Sequence, residues 1–158
     1  MKRILLLVLV LALLIGGYLF YRNQDEPQIN RQVDQLIENI EYEAISLRKP
    51  SDIKTALEEI LADEIEFYGA FPVPSGTHTT EEVLEKINLL HGFISLCKIK
   101  ESSRQIEVNG NEARVTVETE IHIAAMKNNQ RRENWTMMFE LKKFEVWRIT
   151  GIKGIPPK

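Results

Sequence analysis

With 158 residues, 44% of them hydrophobic and 27% charged, the chain has room for one ordinary domain plus an appendage. Its formal net charge of −3 includes Lys2 and Arg3, so everything after that pair carries −5, and no electrostatic argument favours nucleic acid as a partner. A single cysteine, Cys97, excludes an intrachain disulfide and a cysteine-based metal site.

The chain opens with MKRILLLVLVLALLIGGYLFYRNQDEP, in which Ile4 to Tyr21 are 18 residues without a charge. As a helix such a run spans about 27 Å, close to the ~30 Å of a bilayer's hydrocarbon layer. Lys2 and Arg3 precede it, whereas Arg22 is soon offset by Asp25 and Glu26. The positive-inside rule therefore keeps the N-terminus in the cytoplasm and exports the rest. Tyr18, Phe20 and Tyr21 suit the outer membrane–water boundary. A cleaved signal peptide shares the basic start and apolar centre, but Ile15 to Tyr21 offers no clean small-x-small cleavage site. The expected organisation is a cytoplasmic tip and transmembrane signal-anchor over 1–21, a short tether over 22–27, and one domain over 28–158. This makes the protein single-pass in the inner membrane, in contact with the lipid bilayer through residues 4–21, with its domain outside the cytoplasm. The alternative is a secreted or periplasmic domain released by cleavage.

From Gln28 to Arg48, the residues Ile29, Val33, Leu36, Ile37, Ile40, Ala44 and Leu47 recur at helical spacing and predict one amphipathic helix, which Lys49-Pro50 ends. Ser51 is the expected cap of a second helix carrying Ile53, Leu57, Ile60 and Leu61 on its buried side. EIEFYGAFPVPSG then predicts a short strand with Ile65 and Phe67, running into a Pro/Gly loop. Thr79 and Glu82 predict a capping box for a third helix, which Gly92 is placed to close. The period then changes to two. Strands are expected over Ile94–Val108, Glu112–Met126, Arg131–Leu141 and Glu145–Ile152, with a hairpin at Asn109-Gly110, a turn over Lys127–Gln130 and a bulge near KESSRQ.

LADEIEFYGAF, VNGNEARVTVETEIHI and TMMFELKKFEVWRITGI, taken in this order, resemble the nuclear transport factor 2-like superfamily. The resemblance covers about Gln28 to Ile155 and implies a cone-shaped, cystatin-like α+β roll of three helices on a curved, mostly antiparallel sheet. Members often turn the last hairpin with Asp-Gly or Asn-Gly. Here Lys142-Lys143-Phe144-Glu145 has neither, which exposes Phe144. The superfamily includes isomerases, dehydratases and epoxide hydrolases with carboxylates, tyrosines or histidines inside the cone. It also includes membrane-anchored members of envelope assemblies, and members that dimerise through the sheet.

Strand alternation tests the enzymatic option. Ala113, Val115, Val117, Thr119, Ile121 and Ile123 form the apolar face of the central strand, so Arg114, Thr116, Glu118, Glu120 and His122 point out. Trp135, Met137, Phe139 and Leu141 face inward on the next strand, as do Trp147 and Ile149 on the last. None of these inward positions is an acid or a histidine, so no catalytic residue is assigned. His78, His91 and His122 match no common zinc spacing, and no metal or cofactor is expected. Tyr42, Tyr68, Phe71, Trp135, Met137 and Trp147 are the candidates to line a cone cavity, with core packing as their simpler role. Thr116, Glu118, Glu120, His122, Thr136, Met138 and Arg148 form the candidate interaction face. The expected function is non-catalytic association with an envelope protein or a second copy through that face. The alternatives are binding of a small apolar ligand in the cone and, third, isomerase- or hydrolase-like chemistry.

Overall fold

The computed structural model describes residues 11, 16–17, 24–43, 50–69, 73–125 and 129–156. Among them the elements run α1 (Asp25–Ile40), β1 (Tyr42–Glu43), α2 (Pro50–Ile60), β2 (Leu61–Tyr68), β3 (Gly76–Thr79), α3 (Thr80–Phe93), β4 (Ile94–Asn109), β5 (Glu112–Ala125), β6 (Gln130–Lys143) and β7 (Trp147–Ile155). This is the expected α+β architecture of three helices on one sheet. No helix among the described residues is long and apolar enough to cross a membrane. The apolar run 4–21 lies almost wholly outside those residues.

The sheet order is β1-β4-β5-β6-β7-β2-β3. Every neighbouring pair is antiparallel except β2 and β7. That exception follows from the chain path. β2 leaves α2 without a loop and runs beside the last strand, with Phe67 opposite Ile152. The hairpin between β4 and β5 turns at Gly110, whose φ of +62° only glycine adopts without strain. The expected bulge lies between Glu101 and Ser103.

Several boundaries depart from the sequence reading: Leu61 opens β2 instead of ending the second helix, and β6 and β7 cover Gln130–Lys143 and Trp147–Ile155 instead of Arg131–Leu141 and Glu145–Ile152. α1 ends at Ile40 instead of reaching Arg48, because Glu41 turns out with ψ 136° and Tyr42 and Glu43 pair with Cys97 and Leu96. The Glu41 carboxylate accepts the Ile99 N–H at 2.8 Å, filling a sheet-edge donor beyond the reach of the two-residue β1. α2 begins at Pro50, a favoured first helical residue. Ser51 thus lies inside the first turn, donating to the Asp52 carboxylate at 3.2 Å, and does not cap the helix. The Pro/Gly loop yields a further strand, β3, paired with β2 from Gly76 to Thr79. α3 passes through Gly92 to Phe93, where the turn to β4 ends it. Its start is as expected: the Thr79 hydroxyl accepts the Glu82 N–H, and the Glu82 carboxylate accepts the Thr79 N–H.

The main core gathers Ile29, Val33 and Leu36 from α1, Leu57 and Ile60 from α2, and Val83 and Ile87 from α3. These pack over Val115, Val117, Phe139, Leu141, Trp147 and Ile149 of the sheet. A smaller cluster of Leu90, Ile94 and Cys97 holds the far end, where Ile121 and Ile123 are only partly buried. Burial drives the Cys97 thiol up to about 11, so it stays protonated.

Phe139 is 1% exposed and Phe144 is 61% exposed. Phe139→Ala should therefore lower unfolding free energy by about 3–5 kcal/mol. Phe144→Ala should change it by no more than about 0.5 kcal/mol. Urea titration of both variants measures the contrast.

Candidate functional site

The cone interior is closed at one end by a polar knot. Trp147 opens β7 fully buried, and its indole N–H donates to Asp25 Oδ1 at 3.0 Å. Lys143, the last residue of β6, reaches the same oxygen at 2.5 Å while its ammonium lies 5.8 Å from the indole centroid. Asp25 stands in the first turn of α1, where the helix dipole favours a carboxylate. The Lys143 hydrogen bond, then the indole bond, holds its carboxyl below the usual range. Asp25 is thus the first residue of α1, within the stretch 22–27 expected to be a tether. The signal available in the sequence was the acidic pair Asp25-Glu26 ahead of Pro27, a helix-start pattern.

The main core cluster is apolar, while among the described residues Gln32 Oε1, His91 Nε2 and His122 Nε2 are buried polar atoms without a hydrogen-bond partner. The buried polar groups Thr119 and Asn39 bond inside the protein, Thr119 Oγ1 to the Trp135 carbonyl at 3.1 Å and Asn39 Nδ2 to the Gln35 carbonyl at 2.7 Å. Among the described residues no cluster of histidine, cysteine or carboxylate side chains is arranged to hold a metal.

The six proposed lining residues do not converge. Trp147 is sealed in the core, and Met137 packs against that core half-buried. Trp135 faces the same side but is only half-buried, because β7 ends at Ile155, opposite Thr136, and leaves the ring without a strand beside it. Its indole N–H donates to the Glu133 carboxylate at 3.1 Å. Tyr42 belongs to β1 rather than α1 and stacks on His91 with centroids 4.3 Å apart. Tyr68, 50% exposed at the end of β2, donates to the Glu66 carboxylate at 2.9 Å, which raises its pKa. Phe71 lies outside the described residues.

The outer face assembles more nearly as expected. Thr116 pairs with Met138, Glu118 with Thr136, Glu120 with Asn134 and His122 with Arg132, which places these side chains in adjacent rows on one side. Glu118 and Glu120 are exposed, while Thr116, His122, Thr136 and Met138 are half-buried. Where β7 runs out, an open groove of about 380 Å³ is lined by Ser102, Glu118, Asn134, Trp135, Thr136 and Ile155, among others. Arg148 does not belong to this face. Its guanidinium donates to the Glu58 and Leu61 carbonyls at 3.0 Å each, drawn to the acceptors at the junction of α2 and β2. Arg104 is likewise structural, tying Asn30 and Asp34 of α1 to Glu101 of β4.

No family model matches the chain, and no curated protein matches its sequence. Solved structures match its fold. An NTF2-like protein from Cytophaga hutchinsonii superposes with a TM-score of 0.62 at 18% identity, covering 85% of this chain and 99% of that one. An NTF2-like protein with a cystatin-like fold from Novosphingobium aromaticivorans gives 0.63 at 11% identity, over 90% of this chain and 87% of that one. The fold is that of the nuclear transport factor 2-like superfamily. The same cone carries a hexachlorocyclohexane dehydrochlorinase from Novosphingobium barchaimii, at a TM-score of 0.66 and 13% identity over 84% of this chain and 86% of that one.

Because the folded pKa of Asp25 is depressed, the stability it contributes is present above about pH 4 and lost as pH falls through the lower folded value. Asp25→Asn should flatten the fall in urea midpoint between about pH 6 and about pH 3. Asp25→Ala should cost about 1–3 kcal/mol at neutral pH by leaving the buried indole N–H unpaired. An unchanged acid limb in Asp25→Asn would show that the knot does not govern acid stability.

Proposed function

We infer that this is a non-catalytic domain held outside the cytoplasm by the apolar run 4–21, and that it associates with an envelope protein or a second copy of itself through the outer sheet face. One observation carries the non-catalytic part. Trp147, Phe139, Leu141 and Ile149, each 1% exposed or less, occupy the interior in which a reacting group would have to sit. The acid bonded to the buried indole, Asp25, is already engaged by a lysine as well. A general base needs a free, positioned lone pair, and this carboxylate is pinned in its ionised form with a depressed pKa.

Recognition is left to the exterior, where Glu118 and Thr136 line the open groove and Glu120 and Met138 stand in the neighbouring rows of the same face. Such a face, mixed in polarity with half-buried Met138 and 40%-exposed Ile155, fits a wet interface of modest area. A small apolar ligand in the cone is the second reading. It draws on the half-buried Trp135 and on the dehydrochlorinase that shares the fold, but would have to displace core side chains to go deeper than the rim.

A photo-crosslinker at Thr136 of the full chain, expressed in its own membrane, tests the main reading. A discrete adduct that Glu118→Lys/Glu120→Lys weakens severalfold is expected. Absence of any adduct from Thr136 and Glu120 alike, together with a monomer in sedimentation, rejects it. Saturable binding of an apolar dye that Trp135→Ala abolishes would favour the ligand reading.

A further inference from the structure

Phe144 and Val146, 61% and 46% exposed, form the tip of the last hairpin, where the Phe144 N–H donates to the Val146 carbonyl at 3.0 Å. Beside it stands the Gly110–Asn111 turn, joined by the Lys143 N–H donating to the Asn111 carbonyl at 2.8 Å, and Val108 next to that turn is 44% exposed. Apolar side chains exposed singly are ordinary on any surface. Position distinguishes these. Asp25 is fastened to this same hairpin through Lys143 and Trp147.

The apolar run ends at Tyr21, four residues before Asp25. Four residues reach no more than about 14 Å, and the headgroup zone on each side of a bilayer is about 5–8 Å deep. A chain that leaves the hydrocarbon at Tyr21 and is pinned at Asp25 must therefore hold the Phe144–Val146 turn close to the bilayer surface. The local charges permit the approach. Lys143 is paired with Asp25, and Lys142 lies 3.5 Å from Glu112, so no net basic patch draws the turn to anionic lipid and only Glu145 intervenes between the apolar pair.

We propose that the β6–β7 turn, Phe144 to Val146, is a second membrane contact that rests in the headgroup–acyl boundary and sets the orientation of the domain. The contact is apolar and independent of anionic lipid, with an aromatic ring at the depth where amphipathic and aromatic groups settle. It rests on the anchor reading for residues 4–21. The other exposed apolar pair, Leu89 and Phe93 of α3, lies at the opposite end. Phe93 adjoins Ile94, which pairs with Ala125, and β5 runs 14 residues from there back to Glu112, roughly 45 Å.

The test uses the full chain in phosphatidylcholine vesicles, with an environment-sensitive dye at Asn111→Cys, Phe93→Cys or Leu11→Cys and nitroxide lipids as depth-graded quenchers. Cys97 is buried and protonated, so the dye reports only the introduced thiol. The expected pattern is deep quenching at position 11, shallow quenching at 111 at least threefold above that at 93, and loss of the 111 signal in Phe144→Ser/Val146→Ser with position 11 unchanged. Deep quenching at 11 with equal, weak quenching at 111 and 93 overturns the contact while leaving the anchor in place. No quenching at 11 removes the anchor and the contact with it. Protection at 111 that grows with protein density at fixed lipid assigns the turn to a second copy, which also overturns the proposal. Matched urea midpoints for Phe144→Ser/Val146→Ser and the parent establish that the variant is folded.

Discussion

The indole of Trp147 has to be buried, and its N–H cannot be buried alone. Those two requirements organise this domain. As the largest fully buried side chain, Trp147 fills the space between α1 and the sheet, where an unpaired donor costs more than a made bond gains. Asp25 meets the need from the partly exposed start of α1, and Lys143 accompanies it on the same oxygen. Three elements thus meet at one carboxylate oxygen: the start of α1, the end of β6 and the start of β7. With α1 fixed there, Ile29, Val33 and Leu36 fall along the core, and Arg104 ties the helix to β4 further along through Asn30 and Asp34.

This arrangement bears on function by subtraction. The nuclear transport factor 2-like cone serves proteins of unrelated activity, so the fold alone assigns none. Activity on such a cone depends on which polar groups line its interior, and here the acid bonded to the Trp147 indole also accepts from Lys143, tying α1 to the last hairpin.

Much of this was legible from spacing alone. The buried sets of α1, β5 and β6 follow periods of 3.6 and 2, and the Thr79 capping box and the Asn109-Gly110 turn are local signals that any tertiary context would respect. The misplacements share one cause. Tyr42 left the helix because β4 offered its backbone an edge, and Trp135 lost its cover because β7 is shorter than β6. Arg148 turned from the outer face because the junction of α2 and β2 offered two carbonyls. Each outcome depends on a partner distant in sequence, which periodicity does not encode.

By itself the sequence determined the class of the protein: an apolar run near the start, three amphipathic helices, a run of alternating strands, and a sheet face without inward acids or histidines. These are properties of residue order, because side-chain direction repeats with the period of each element. Only the tertiary structure decided that Asp25 belongs to the domain and not to a tether, and that the last hairpin lies beside the point where the chain enters it. Both follow from a hydrogen bond spanning 122 residues, and such a contact exists only once the cone has closed around Trp147.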